Sequence, residues 1–172
     1  VDDMTADDLA ILEISSFQLE QMTISPNISA ILNITPNHLD RHGTMEEYIK
    51  AKRRIGECVK PDGAFWVQKA ASWSPDLLHF GFDEACELYT DGKSVYRFGV
   101  KESELPETLQ NSRSHNVENY LAAYALARAL GAPCDMPSIA YSSFVKPKHR
   151  LEYVCSHNGI WFYDDSKATS VD

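Results

Sequence analysis

The feature that most constrains this chain is a pair of short, branched-apolar runs, each closed by polar residues. They are Leu9-Ala10-Ile11-Leu12-Glu13-Ile14 and Ile28-Ser29-Ala30-Ile31-Leu32-Asn33-Ile34. Runs of this length with few interior charges fit strands covered on both faces, as in parallel sheets, where the usual in-out alternation is lost. The first ends at Ser15-Ser16, and the second at Thr35-Pro36-Asn37-His38, where proline forbids simple continuation. A helix is then predicted, because Thr44-Met45-Glu46-Glu47 is a capping box, and helical spacing puts Tyr48, Lys52 and Ile55 on one face. Pro61-Asp62-Gly63 stops the chain after Val59, and Ala64-Phe65-Trp66-Val67 reads as the next strand. Strand, helix, strand in that order defines an α/β class with a mostly parallel sheet.

Further along, Glu87–Thr90 and Ser94–Phe98 alternate around Asp91-Gly92, which predicts a peripheral antiparallel hairpin. A second long helix is expected from Asn116 to Leu130, with Ser114 or His115 near its cap, Glu118 in its first turn, and Gly131 and Pro133 ending it. Lys146-Pro147-Lys148 has linker composition, which places a domain boundary near residue 147. Beyond it a new hairpin, Leu151–Val154 with Ile160–Tyr163, turns at Asn158-Gly159.

Sixteen Lys and Arg against twenty-five Asp and Glu give a net charge of −9, with Lys50–Arg54 the only dense basic patch. That balance argues against wrapping nucleic acid. No apolar run approaches the roughly 18 residues that span a bilayer, so no membrane role is expected and the reading is a cytoplasmic protein. The four cysteines form no CxxC pair and read as reduced thiols.

Ligands of α/β sheets gather at the carboxyl ends of the strands, so Glu13 and His38 are placed at one sheet edge if their strands are neighbours. A glutamate closing an apolar strand is costly to bury unless a cation or hydrogen-bond donors meet it. His38-Leu39-Asp40-Arg41-His42 offers two imidazoles and a carboxylate, of which His38 reads as the site residue, while Asp40, Arg41 and His42 cap the loop and pair with each other. Gly92-Lys93-Ser94 mimics the end of a phosphate-binding loop, but position 87 is Glu87 where that motif needs glycine, and a hairpin turn is the better reading. Asn116 and Asn119 share one helix face, which suits either an adenine edge or helix capping. Asp164-Asp165-Ser166-Lys167-Ala168-Thr169 closes an apolar strand with a polar cluster whose lysine suits a phosphate oxygen.

Taken together, Leu12–Glu20, Asn33–His42, Ala51-Lys52, Ser114-His115-Asn116 with Asn119, His149-Arg150 and Asp165–Thr169 resemble the motifs of the Mur ligases, in family order, and most closely those of the D-glutamate-adding branch. Departures are Ser170, where many relatives have asparagine, and Ser114, where glycine is common. The resemblance implies the later part of a P-loop-type ATPase domain (1–147) and the first hairpin of a Rossmann-like, amino-acid-binding C-terminal domain (148–172). The N-terminal domain, the P-loop itself and most of the C-terminal domain are then expected outside this chain, which alone would be inactive. The implied activity is ATP-dependent ligation of D-glutamate to UDP-N-acetylmuramoyl-L-alanine in peptidoglycan precursor synthesis, through an acyl phosphate.

By the same resemblance, Glu13 and His38 serve Mg²⁺, and Lys52, carbamylated by CO₂ in the family, helps hold a second Mg²⁺. Lys52 is expected to be mostly unmodified in this chain alone. Asn116 and Asn119 face adenine; Arg150 and Asp165 contact ATP; Ser15 lies near the muramoyl substrate; Lys167 and Thr169 meet the acyl phosphate and D-glutamate. Two other readings stay open: a metal-dependent hydrolase built on Glu13, His38, Asp40 and His42, and a non-catalytic module. An exposed apolar sheet edge is also expected, with self-association or limited stability as its consequence.

Overall fold

The structure is a computed structural model that describes residues 3–5, 7–24 and 26–168. The chain forms two compact units, Val1–Phe80 and Gly81–Asp172. In the first unit the order is α1 (Ser16–Glu20), β1 (Ile28–Ile31), α2 (Leu39–His42), α3 (Met45–Glu57), β2 (Ala64–Gln68) and β3 (Leu78–Gly81). Strand β1 runs parallel to β2, with Ile31 opposite Val67, and β2 runs parallel to β3, with Val67 opposite His79. The crossover from β1 to β2 is made by α3, as the sequence pattern requires. Thr44 begins that helix, its hydroxyl accepting a hydrogen bond from the Glu47 N–H at 3.3 Å. A Cβ on Gly56 would stand 2.2 Å from the Phe65 ring, so only glycine lets this end of α3 lie against β2. Leu19, Met22, Ile31, Tyr48, Ala51, Trp66, Val67 and Phe80 are buried.

Two strand expectations are corrected. Leu9–Ile14 forms no strand, and Leu9, Ile11 and Leu12 are 67%, 88% and 63% exposed. Among the described residues no strand pairs with this segment, and an apolar run without a ladder partner leaves its backbone to water. The second strand ends at Ile31 rather than Ile34, and Leu32 is exposed beyond it. The chain leaves the sheet five residues before Pro36, early enough that the proline never meets the ladder.

The second unit contains a meander, β4 (Leu88–Thr90), β5 (Ser94–Arg97) and β6 (Val100–Glu104), then α4 (His115–Ala129), α5 (Met136–Ser142) and a separate hairpin of β7 (Glu152–His157) and β8 (Ile160–Asp164). The turn at Asp91-Gly92 is fixed by Asp91 Oδ1, which accepts from the N–H groups of Lys93 and Ser94, both at 2.8 Å. Phe98, expected to end β5, instead sits with Gly99 in a two-residue turn, at φ 50° and 76°, between the paired Arg97 and Val100. Positive φ at both turn residues matches the twist of the strands and brings in β6, whose polar sequence gave no strand signal. Asn158 and Gly159 make the same kind of turn, at φ 50° and 77°, between β7 and β8.

Val117, Tyr120, Leu121, Tyr124 and Ala125 form the buried stripe of α4, spaced for one helical face. Gly131, at φ 86°, ends the helix region as its sequence foretold. The α4 stripe is anchored to β6 through one carboxylate. Glu102 accepts from Tyr124 Oη at 3.0 Å, Arg128 Nε at 2.9 Å, Arg128 Nη2 at 3.2 Å and Arg97 Nη1 at 3.3 Å. Arg128 also donates to the Ala132 carbonyl, which closes the C-terminal end of α4. Burial raises the Glu102 carboxyl, but the hydrogen bonds from Arg128 and Tyr124 and the two arginine charges outweigh it, and it titrates below the ordinary glutamate range. Burial pushes the Tyr124 hydroxyl up to about 12.

Glu102→Gln removes a charge held by two guanidinium groups at a site only 16% exposed, and is expected to cost about 2 kcal/mol in denaturant unfolding. Because the folded state lowers this carboxyl, its contribution is present above the unfolded value of about 4.3 and is lost as pH falls through the folded one. Acid titration of stability should therefore be flatter in Glu102→Gln than in the parent.

Candidate functional site

His38 follows the carboxyl end of β1, the position where α/β sheets collect ligands. It begins α2 in the left-handed region, at φ 55°, and its exposed ring stands edge-on to Phe17, 5.1 Å between centroids. Phe17 lies on α1, which is started by a complete capping box. The Ser15 hydroxyl accepts from the Gln18 N–H at 3.4 Å, and Gln18 Oε1 accepts from the Ser15 N–H at 2.9 Å. The opposite neighbours of Phe17 are the His42 ring, stacked at 5.2 Å, and the Arg41 guanidinium, 4.4 Å from the centroid.

The side chain of His42 is 2% exposed, with Nδ1 3.2 Å from Glu20 Oε1 and Nε2 2.9 Å from Ser16 Oγ. The ring thus has a carboxylate beside one nitrogen and shares a hydrogen bond with the Ser16 hydroxyl at the other. His42 also lies 5.2 Å from the Tyr48 ring, over which Lys52 Nζ sits at 5.2 Å. One continuous row of rings thus runs from His38 through Phe17, His42 and Tyr48 to Lys52, joining α1, α2 and α3. The expectation that Asp40, Arg41 and His42 pair with each other is corrected: successive residues of a helix point to different sides, and Arg41 reaches Phe17 while His42 reaches Ser16 and Glu20 instead.

Glu13 lies exposed in the segment before Ser15, and among the described residues it has no ion-pair partner. No group of three metal ligands among the described residues includes Glu13, His38, Asp40 or His42, so the hydrolase reading has no assembled centre. Gly92-Lys93-Ser94 is a hairpin turn, and all four cysteines are free.

In the second unit Asn116 and Asn119 stand exposed on the first turns of α4, on the side away from its buried stripe. The neighbours of Arg150 in the chain, His149 and Leu151, are bonded to the stretch that carries Asp165 and Lys167, where the ends of β7 and β8 meet. Asp165 Oδ1 accepts from the Leu151 N–H at 2.9 Å, and the His149 carbonyl accepts from the Lys167 N–H at 3.2 Å. Thr169 lies outside the described residues. Sequence reasoning missed the trio beside them: His149, Glu152 and Asp164 hold one ligand atom each within 4.8 Å of one another. His149 Nδ1 is 2.7 Å from Asp164 Oδ2, and the Glu152 carboxylate accepts the His149 N–H at 2.8 Å. The His149 ring and the Ser166 N–H and hydroxyl hold the Asp164 carboxyl down at about 2. Its signal was the hairpin register, which sets Glu152 opposite Asp164.

Parallel strands joined by a crossover helix, with His38 beyond the carboxyl end of one of them, define an α/β domain. Residues 2–127 match the family model described as the Mur ligase middle domain, and the chain belongs to that family. It is 42% identical to the UDP-N-acetylmuramoylalanine--D-glutamate ligase of Protochlamydia amoebophila, over 96% of this chain and 39% of that protein. The enzymes of the same name from Acidobacterium capsulatum and Lachnoclostridium phytofermentans are 38% and 36% identical, over 100% and 96% of this chain and 41% and 40% of theirs. The chain therefore spans about two-fifths of the length of these relatives. Among solved structures, MurF from Acinetobacter baumannii aligns with a TM-score of 0.62 at 24% identity, over 82% of this chain and 34% of that one. MurF ligase from Thermotoga maritima, in complex with ADP, aligns with a TM-score of 0.60 at 20% identity, over 88% and 38%. These likenesses establish the Mur ligase fold.

His42→Phe keeps a ring between Phe17 and Tyr48 but strands the Ser16 hydroxyl, and is expected to cost about 1–2 kcal/mol; His42→Ala, which also empties the stack, about 3. Chemical denaturation of both variants checks the order.

Proposed function

We propose that this chain is the central, ATP-handling part of a ligase of the MurD type, which joins D-glutamate to UDP-N-acetylmuramoyl-L-alanine in the cytoplasm. The observation that carries the proposal is the 42% identity, across nearly the whole chain, with an enzyme named for that reaction. The ADP complex of the Thermotoga maritima relative supports ATP as the phosphoryl donor. In the proposed reaction the alanyl carboxylate takes the γ-phosphoryl group of ATP, releasing ADP. The amine of D-glutamate then attacks the acyl carbon, the amide forms and inorganic phosphate leaves. Such chemistry asks the protein chiefly for positioning and charge neutralisation.

In this proposal Ser15, at the start of α1, addresses the muramoyl substrate. Asn116 and Asn119 read the adenine edge, Arg150 and Asp165 address the nucleotide, and Lys167 and Thr169 address the acyl phosphate and D-glutamate. In the same proposal Glu13 and His38 serve Mg²⁺, an ion that takes few protein ligands beside phosphate oxygens and water. When bound, Mg²⁺ would neutralise phosphate charge. In the same proposal Lys52, half-buried over Tyr48, becomes a further oxygen ligand when its amine takes up CO₂. The exposed Leu9, Ile11 and Leu12 support self-association of this chain through an apolar edge. The division near residue 147 belongs to the same proposal, with β7 and β8 opening the next domain.

The test is phosphate release by the full-length protein, which should require ATP, D-glutamate and UDP-N-acetylmuramoyl-L-alanine together. Absence of turnover from the folded protein would refute the proposal. Lys52→Ala should lower kcat by about 10- to 100-fold. In this chain alone, ¹³C-bicarbonate should give no carbamate resonance at Lys52. Sedimentation of the chain alone should show species larger than a monomer.

A further inference from the structure

Register places Glu152 directly opposite Asp164 at the open end of the β7–β8 hairpin. Two carboxylates in that relation repel, so the pairing needs a third group to hold it. His149 supplies it twice: its ring nitrogen meets Asp164 at 2.7 Å and its backbone N–H meets Glu152 at 2.8 Å. To do so the chain takes the left-handed region at His149, φ 65°, and again at Leu151, φ 47°. Neither residue is glycine, and each such conformation costs roughly 1–2 kcal/mol. The turn is secured from the other strand as well. Asp165 accepts the Leu151 N–H at 2.9 Å, Lys167 donates its N–H to the His149 carbonyl at 3.2 Å, and Asp164 Oδ1 accepts the Ser166 N–H at 2.9 Å. Arg150 is the residue between the two left-handed positions, and its side chain is exposed.

We propose that His149, Glu152 and Asp164 are positioning residues that hold the backbone of Arg150 and the Asp165 side chain in one fixed arrangement for the nucleotide. The inference rests on the ATP roles proposed above and adds the device that sets their geometry. Every backbone bond of the clasp falls on a residue flanking Arg150 or on the 164–167 segment, while the Arg150 guanidinium and the Lys167 ammonium stay in solvent. A strained, multiply tied backbone does not have to be ordered when a phosphate arrives, so only side-chain freedom is lost on binding. The clasp acts on binding rather than on the reacting atoms.

A double-mutant cycle in the full-length protein tests this. Asp164→Ala and His149→Gln should each raise the KM for ATP by about tenfold, leave kcat and the KM for D-glutamate within about twofold, and leave the circular dichroism spectrum unchanged. Asp164→Glu should restore part of the loss. Arg150→Ala alone should raise the KM for ATP, and adding Asp164→Ala to it should raise it little further. Full additivity, or an unchanged KM in both Asp164→Ala and His149→Gln beside a raised one in Arg150→Ala, overturns the clasp. An unchanged KM in Arg150→Ala overturns the ATP role of Arg150 itself, and the clasp with it. If Asp164→Ala fails to fold, His149→Gln carries the same cycle.

Discussion

A parallel strand exists only where a neighbour supplies its hydrogen bonds, and that constraint governs the first unit. β1, β2 and β3 satisfy one another, with Trp66 and Val67 buried at the centre of the ladder. Leu9–Ile14 has an equally apolar sequence and no ladder partner among the described residues, and Leu9, Ile11 and Leu12 stay exposed. The difference between the two runs is not composition but pairing, since unpaired backbone groups keep their water. The end of β1 is what carries the chain to His38, so the same ladder that builds the core delivers the candidate site residue.

Buried polar groups show the same economy in both units. Glu102 is surrounded by three donor side chains, and His42 has a carboxylate beside one ring nitrogen and a hydroxyl at the other. Each costs desolvation and each is compensated by partners from a different element, so each specifies which elements come together. His42 does this for α1 and α2, with Phe17 and Tyr48 extending the link to α3. The result is a rigid row with His38 at one end and Lys52 at the other.

The sequence revealed what local rules determine. The crossover helix α3, the turns at Asp91-Gly92 and Asn158-Gly159, and the stop of α4 at Gly131 follow from capping, positive-φ tolerance and periodicity. Candidate residues His38, Lys52, Arg150, Asp165 and Lys167 were legible through motif order. What stayed hidden depends on distant partners. β6 reads as a charged loop until Glu102 is seen between Arg97 and Arg128. His42 reads as a loop residue because its partners Ser16 and Glu20 lie more than twenty positions earlier. Phe98 reads as a strand end because a bulky residue at positive φ is unexpected where Gly99 alone would seem to suffice.

Left-handed conformations in residues other than glycine persist only where surrounding contacts overdetermine them. His38 is one such residue, and His149 and Leu151 are two more. All three lie in or beside the motifs through which the chain resembles its family, and none serves a simple hairpin. At His149 and Leu151 the contacts that hold the strain are visible: Glu152, Asp164 and Asp165 each accept from the turn. A relaxed loop would connect α5 to β7 at lower conformational cost, so the strain is best explained by what it fixes, the path of the backbone on either side of Arg150. The acidic surroundings add a second consequence. Glu152, Asp164 and Asp165 accept from the His149 N–H, the His149 ring and the Leu151 N–H, and among the described residues no ion pair ties Arg150 to any of them. The exposed guanidinium is thereby left for an anion from outside.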